Sequence, residues 1–197
     1  MKNIKKIVIG IIVLGLIFVY AHVDNTMDLY NINIDPSQYL STGVIYDGEL
    51  RQTFTSKEEK LDGVSLKSNI VGDCSNVTLE YKLLDDSGNV VASGSADAMK
   101  IKDKKFYKYK FEQVEDCKNK EYTFVMTEKG ATEVQGIAFY IDPTISNSQV
   151  YNNKNNAEGA LVAKVISHRF DMKTYIIVLV FILYLVGFTK LLYKLFK

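Results

Sequence analysis

Between residues 47 and 170, apolar and polar positions alternate in short runs. "VTLEYKL" sets Val77, Leu79, Tyr81 and Leu83 on one face and Thr78, Glu80 and Lys82 on the other. "KFYKYKF" aligns Tyr107, Tyr109 and Phe111, and "EYTFVMT" aligns Tyr122, Phe124 and Met126. "GIAFYI" aligns Ile137, Phe139 and Ile141, and "ALVAKVI" aligns Leu161, Ala163 and Val165. In "LRQTFTSKEEKLDGVSL", Leu50, Gln52 and Phe54 share a face, then a charged turn leads to a strand carrying Leu61, Val64 and Leu66. Side chains on a strand point alternately to its two faces, so this period of two predicts half-buried strands. About eight such runs, separated by turn signals such as "DDSGNVV", predict an all-β domain, an antiparallel β-sandwich of jelly-roll type.

The two ends break the pattern. No charge lies between Lys6 and Asp24, or between Lys173 and Lys190. At 1.5 Å per residue each apolar stretch approaches the ~30 Å hydrocarbon thickness of a bilayer. The sandwich is therefore expected to be flanked by N- and C-terminal transmembrane helices, at 7–23 and 174–192. "KNIKK" before the first stretch and "VYA" at its end also fit a signal peptide, so the first span reads either way. Lys2, Lys5 and Lys6 precede the first span, and Lys190, Lys194 and Lys197 lie at the end of the second. The positive-inside rule then makes 1–6 and 193–197 cytoplasmic and the middle extracytoplasmic, in the cell membrane. Residues 24–46 alternate weakly and read as a stalk or edge segment, leaving 47–170 as the sandwich.

Composition adds three points. Net charge is +1 and the basic residues form no single block, so nothing points to a nucleic-acid partner. Of the 24 basic residues only Arg51 and Arg169 are arginine, a lysine bias that suggests an AT-rich bacterial genome. The two cysteines, Cys74 and Cys117, both lie outside the spans, where an oxidising compartment predicts a disulfide between them.

Catalytic chemistry is not nominated. His22 and His168 both border a span, far from any metal-ligand or triad spacing. The acid pairs Glu58–Glu59 and Asp85–Asp86 fall in turns, where carboxylates are solvated. The expectation is a non-enzyme with no catalytic residue, no metal ligand and no organic cofactor. A structural calcium ion occurs in folds of this kind, but no dense acidic loop nominates one. Gln52, placed on an inward face, needs hydrogen-bond partners and reads as a structural tie between its strand and a neighbouring loop, or else as a polar group in a ligand cleft. Tyr140 faces opposite to Phe139. Tyr151 sits in the polar stretch "DPTISNSQVYNNKNNAEG" with Asn152, Asn153, Asn155 and Asn156. These six residues form the candidate ligand or partner surface.

The order of the Gln-Thr-Phe strand, the Leu-x-Gly-Val turn at Leu61–Val64, the Asp-x-Gly hairpin at Asp86–Gly88 and the Lys-x-Tyr strand start at Lys120–Tyr122 resembles one known group. It is similar to the carbohydrate-binding-module-like jelly-roll ectodomains of Gram-positive bacterial membrane proteins linked to cell-surface glycan assembly. The resemblance covers residues 44 to 168. It implies a membrane-anchored extracytoplasmic binding or accessory protein in polysaccharide or glycolipid assembly, with glycan as ligand and an integral-membrane partner such as a glycosyltransferase or flippase. The chain departs from that group in having no attached multi-spanning enzyme and no tryptophan, the usual sugar platform. The alternative is a structural or interaction subunit of another bacterial membrane complex, for example one of secretion, with the sandwich docking protein.

Overall fold

The computed structural model describes residues 2–146, 149–152 and 156–196, without the side chains of residues 2, 3, 6, 7 and 152. The chain divides into two compact units, residues 1–25 with 168–197, and Thr26–Ser167. Two helices, α1 (Lys2–Tyr20) and α2 (Met172–Leu195), bracket thirteen strands. The strands are β1 (His22–Asp28), β2 (Leu40–Val44), β3 (Glu49–Thr55), β4 (Leu61–Val71), β5 (Thr78–Leu84), β6 (Val90–Asp97) and β7 (Phe106–Val114). They continue with β8 (Glu121–Lys129), β9 (Gly136–Asp142), β10 (Gln149–Asn152), β11 (Ala157–Glu158), β12 (Ala160–Leu161) and β13 (Ala163–Phe170).

The strands form two antiparallel sheets. One has six strands in the order β11-β10-β3-β8-β5-β6. The other has seven, ordered β1-β13-β4-β9-β12, with β7 also on β4 and β2 also on β9. The two sheets bury a shared core. Leu79, Tyr81, Leu83, Phe124 and Met126 come from the six-stranded sheet, and Leu66, Tyr109, Phe139, Ile141 and Val165 from the seven-stranded one. Tyr109 meets Phe124 with ring centroids 6.4 Å apart, and the Tyr81 hydroxyl crosses to donate to the Lys110 carbonyl at 2.6 Å. Each fully buried large apolar side chain contributes roughly 1.5–3 kcal/mol.

Leu61, Val64 and Leu66 all reach the core although their spacing is not a strict two. The reason is a register shift of β4 against β7 between Leu61 and Gly63. Gly63 lies so close to β7 that a Cβ would stand 2.7 Å from the Tyr109 carbonyl oxygen.

Three expectations are narrowed or changed. Residues 24–46, expected as a stalk or edge segment, take the edge form, since β1 is the end strand of the seven-stranded sheet and β2 pairs with β9. Their alternation is weak because β1 carries short polar side chains and β2 shifts register between Ser41 and Val44, around Gly43 at φ 69°.

The second change concerns the spans. Among the described residues one helix, Met172–Leu195, is long and apolar enough to cross a membrane, and none of its apolar window is buried. The N-terminal apolar stretch Val8–Tyr20 is shorter, roughly 20 Å at helical rise. The chain turns into β1 at His22, so the expected span at 7–23 does not run to its full length. Asp171 starts α2, its carboxylate accepting from the N–H groups of Lys173 and Thr174 at 2.7 and 3.1 Å, which satisfies free donors of the first turn.

The third change is the disulfide. Cys74 and Cys117 are free and buried. Cys117 follows β7 and donates its backbone N–H to the Glu59 carbonyl, just before β4 begins. Cys74 stands three residues after β4 ends. The 11 residues of β4 separate them, roughly 36 Å at strand rise, whereas a disulfide needs Cα atoms within about 7 Å. Each thiol instead bonds backbone carbonyls, Cys74 to Gly136 at 3.2 Å and Cys117 to Val114 at 3.3 Å. Burial raises both thiol pKa values, which keeps them as unreactive thiols. A thiol reagent is expected to modify neither cysteine in the native protein and both after denaturation without reductant. Recovery of a Cys74–Cys117 peptide pair from a non-reduced digest would contradict this arrangement.

Candidate functional site

The short strand β10 opens a groove. Among the described residues it pairs with β3 along Leu50–Gln52, and the edge of β3 from Thr53 onward lines the groove. That edge faces Met27, Asp28 and Leu29 at the end of β1 across a groove of about 550 Å³. Thr53, Thr55, Lys57 and Glu121 line it on one side, and Gln149 and Tyr151 on another. Gln52 and Ala160, both buried, reach it from below.

Tyr151 alternates outward along β10 opposite Arg51 while Val150 turns into the core opposite Gln52. Its ring is 44% exposed, and its hydroxyl donates to Gln149 Oε1 at 2.9 Å. Gln52 is only 3% exposed. Its Oε1 accepts from the backbone N–H of Leu161 at 2.9 Å and its Nε2 donates to the Thr53 carbonyl at 3.0 Å. The amide thereby joins β3 to β12 of the opposite sheet. The groove combines one exposed ring with fixed amide, hydroxyl and carboxylate groups, the combination that orients a polyhydroxylated ligand.

A second surface lies on the outer face of the seven-stranded sheet. Outward positions of β4, β7, β9 and β13 place Lys67, Asn69, Phe106, Tyr140 and Lys164 together, with Lys67 directly opposite Phe106. The β1–β2 connection adds Tyr30 and Tyr39. That connection is tied down by Asp142, whose side chain accepts from Asn31 N–H at 2.8 Å and from the Thr144 N–H and hydroxyl at 2.8 and 2.7 Å. Burial would raise the Asp142 pKa, but these bonds outweigh it and hold the carboxyl below its ordinary value. Tyr39 and Tyr140 rings lie 5.9 Å apart, and Lys67 Nζ sits over both, 4.9 and 5.4 Å from their centroids. Lys164 Nζ sits likewise over Phe106 and Tyr30, at 5.3 and 5.9 Å.

The candidate residues read from sequence thus fall on two sheets. Tyr151 belongs to the groove. Tyr140 belongs to the aromatic face, half-buried, its hydroxyl donating to Asn69 Oδ1 at 3.4 Å. Asn156 is exposed, Asn152 closes β10 by its backbone, and Asn153 and Asn155 lie outside the described residues. The sequence reading missed Lys67 and Asn69, although both alternate with Leu66 and Ser68. Tyr30 and Tyr39 escape it because the weak alternation of residues 24–46 gives no face to place them on. Among the described residues no group of three His, Cys, Asp or Glu side chains is placed to hold a metal ion.

No protein family matches this chain. No curated protein matches it either. Solved structures that it is similar to include a xylan-binding module, CBM15, at 9% identity and TM-score 0.36, over 75% of this chain and 99% of the module. They also include the Cellvibrio japonicus Xylanase10C in complex with xylopentaose, at 10% identity and TM-score 0.37, over 68% of this chain and 27% of the xylanase chain. A Yersinia pseudotuberculosis-derived mitogen follows at 12% identity and TM-score 0.28, over 76% of this chain and 89% of the mitogen.

Proposed function

We propose that this chain is a membrane-anchored glycan-binding protein without catalytic activity, its jelly-roll-type sandwich held outside the cytoplasmic membrane by α2. It serves as an accessory to cell-envelope polysaccharide or glycolipid assembly, beside an integral-membrane partner such as a glycosyltransferase or flippase. The observation that carries this reading is the groove between β3, β10 and the end of β1. Tyr151 offers a sugar ring an exposed aromatic face. The Gln149 amide N–H₂ can donate to sugar hydroxyl groups, and the Asp28 and Glu121 carboxylates can accept from them. The rigid sheet beneath keeps these groups in place before the ligand arrives, which lowers the ordering cost of binding.

The full-length protein in detergent micelles is expected to bind neutral oligosaccharides on a glycan array. Tyr151→Ala is expected to weaken that binding about 30-fold, the loss of ~2 kcal/mol typical of a central aromatic anchor. Its melting temperature should stay within a few degrees, because the ring is exposed and outside the core. Equal binding by wild type and variant would move the site off the groove. No glycan binding at all, together with a co-purifying protein that Tyr151→Ala releases, would make the groove a protein-docking surface.

A further inference from the structure

The outer face of the seven-stranded sheet carries two lysines in the same kind of setting, each ammonium over two aromatic rings. Their electrostatic surroundings differ. Lys164, over Phe106 and Tyr30, is neutralised by Asp28, whose Oδ1 lies 3.0 Å from Nζ. Lys67, over Tyr39 and Tyr140, has no carboxylate within ion-pair distance among the described residues. The Asp103 and Asp142 carboxylates make their close contacts with other groups rather than with Lys67. Asp103 accepts from the Ile70 N–H at 3.0 Å, and Asp142 is held by Asn31 and Thr144. A cation fixed over two ring faces is attracted by both and so pre-positioned. Asn69 stands two residues along β4 on the same face. Its Oδ1 is taken by the Tyr140 hydroxyl, which leaves the amide N–H₂ as a donor beside the ammonium.

We infer that Lys67, held between Tyr39 and Tyr140 with Asn69 beside it, receives the carboxylate of a uronic-acid-containing glycan. The two half-buried tyrosines hold the ammonium in place. Lys67 and Asn69 supply the N–H donors that a carboxylate accepts. A single lysine matches one negative charge per sugar, and the two oxygens of a carboxylate can accept from the Lys67 ammonium and the Asn69 amide together. The inference extends the glycan-binding reading to a second surface, distinct from the Tyr151 groove.

The test uses the full-length protein in detergent micelles and tetramers of glucuronic, galacturonic and mannuronic acid, each beside its neutral methyl ester. At least one acid is expected to bind 10-fold or more tightly than its ester at low salt. The ratio should shrink as salt is raised, because an exposed ion pair is screened. Lys67→Met is expected to bring that acid down to the level of its ester, and Asn69→Ala to reduce the ratio by several-fold. Both side chains lie outside the core, so melting should be unchanged, and either variant alone suffices if the other fails to fold. Tyr151→Ala, which weakens neutral binding in the groove, should leave the Lys67-dependent gain in acid binding in place. A ratio near one for all three acids, or a ratio preserved in both variants, overturns the inference while leaving neutral binding in the groove untouched. An oligomer of glycerol phosphate that binds as tightly as the best acid, through Lys67, overturns the carboxylate assignment.

Discussion

Replacing Glu128 with glutamine should remove about 3 kcal/mol of pH-dependent destabilisation between pH 4.5 and 7.5. Glu128 ends the inward row Tyr122, Phe124, Met126 of β8 and is 9% exposed. Its Oε2 accepts from the Ile137 N–H at 3.0 Å, and Oε1 has no hydrogen-bond partner. Burial pushes its pKa up to about 7 from an ordinary 4.5, and backbone N–H bonds from Ile137 and Ile45 offset only part of that rise. Below pH 4.5 the carboxyl is protonated in both folded and unfolded chains and has no effect. As pH rises from 4.5 to 7, the unfolded chain releases this proton while the folded one retains it. Stability then falls by about 1.4 kcal/mol per pH unit, and levels off above 7.

Glutamine carries no charge, so the variant-minus-wild-type difference in unfolding free energy should climb by that amount across the window. Its plateau is lowered by ~1 kcal/mol for the amide N–H₂ placed where Oε1 now lacks a partner. Asp35, Asp85, Glu115 and Asp142 have depressed pKa values, so the stability they contribute is lost as pH falls from about their ordinary carboxylate values downward. They act largely below the window and are common to both proteins. Urea unfolding in micelles at several pH values, followed by tyrosine circular dichroism, measures the difference. A flat difference between pH 4.5 and 7.5 would mean that water reaches Glu128.

Glu128 also shows what was legible in the sequence. The alternation of "EYTFVMT" correctly turns Tyr122, Phe124 and Met126 inward, and one further step along the same strand turns Glu128 inward too. The charge hid a position that the period had already assigned. Where strands carry large side chains on a half-buried face, as in β5, β8 and β9, the period of two was enough. It was not enough for β1, whose "HVDNTMD" offers the core only Met27, packed at its margin. Sheet order was beyond the pattern altogether. The predicted disulfide failed there, because alternation tells which way a cysteine points but not which end of a strand it occupies. The aromatic face escaped for the same reason. Phe106 and Tyr140 come from strands far apart in sequence that the pairing of β4 with β7 and β9 brings together, and the β1–β2 connection adds Tyr30 and Tyr39.

Gln52→Leu is expected to destabilise the sandwich by about 2 kcal/mol, and Gln52→Glu by more at neutral pH but less near pH 4. Leucine matches glutamine in volume, so the first loss is not a cavity effect. It arises because the Leu161 N–H, which among the described residues donates to Gln52 Oε1, stays buried without that acceptor, at a cost of roughly 1–3 kcal/mol. Glutamate can still accept that N–H. Its second oxygen, however, takes the place of Nε2 and faces the Thr53 carbonyl at 3.0 Å, oxygen against oxygen, with a charge in a site 3% exposed. Protonation reverses this, because a neutral carboxyl donates to the Thr53 carbonyl and accepts from Leu161 at once. The folded pKa of the introduced acid is therefore raised, and the variant should gain stability as pH falls from 7 to 4. Leucine has nothing to titrate, so its deficit relative to wild type should be the same at both pH values. Since Gln52 underlies the groove and joins β3 to β12, both variants should also weaken neutral glycan binding, and Gln52→Glu should regain binding at low pH in step with its stability. Binding unchanged in Gln52→Leu would mean that the groove holds its shape without the tie between the sheets.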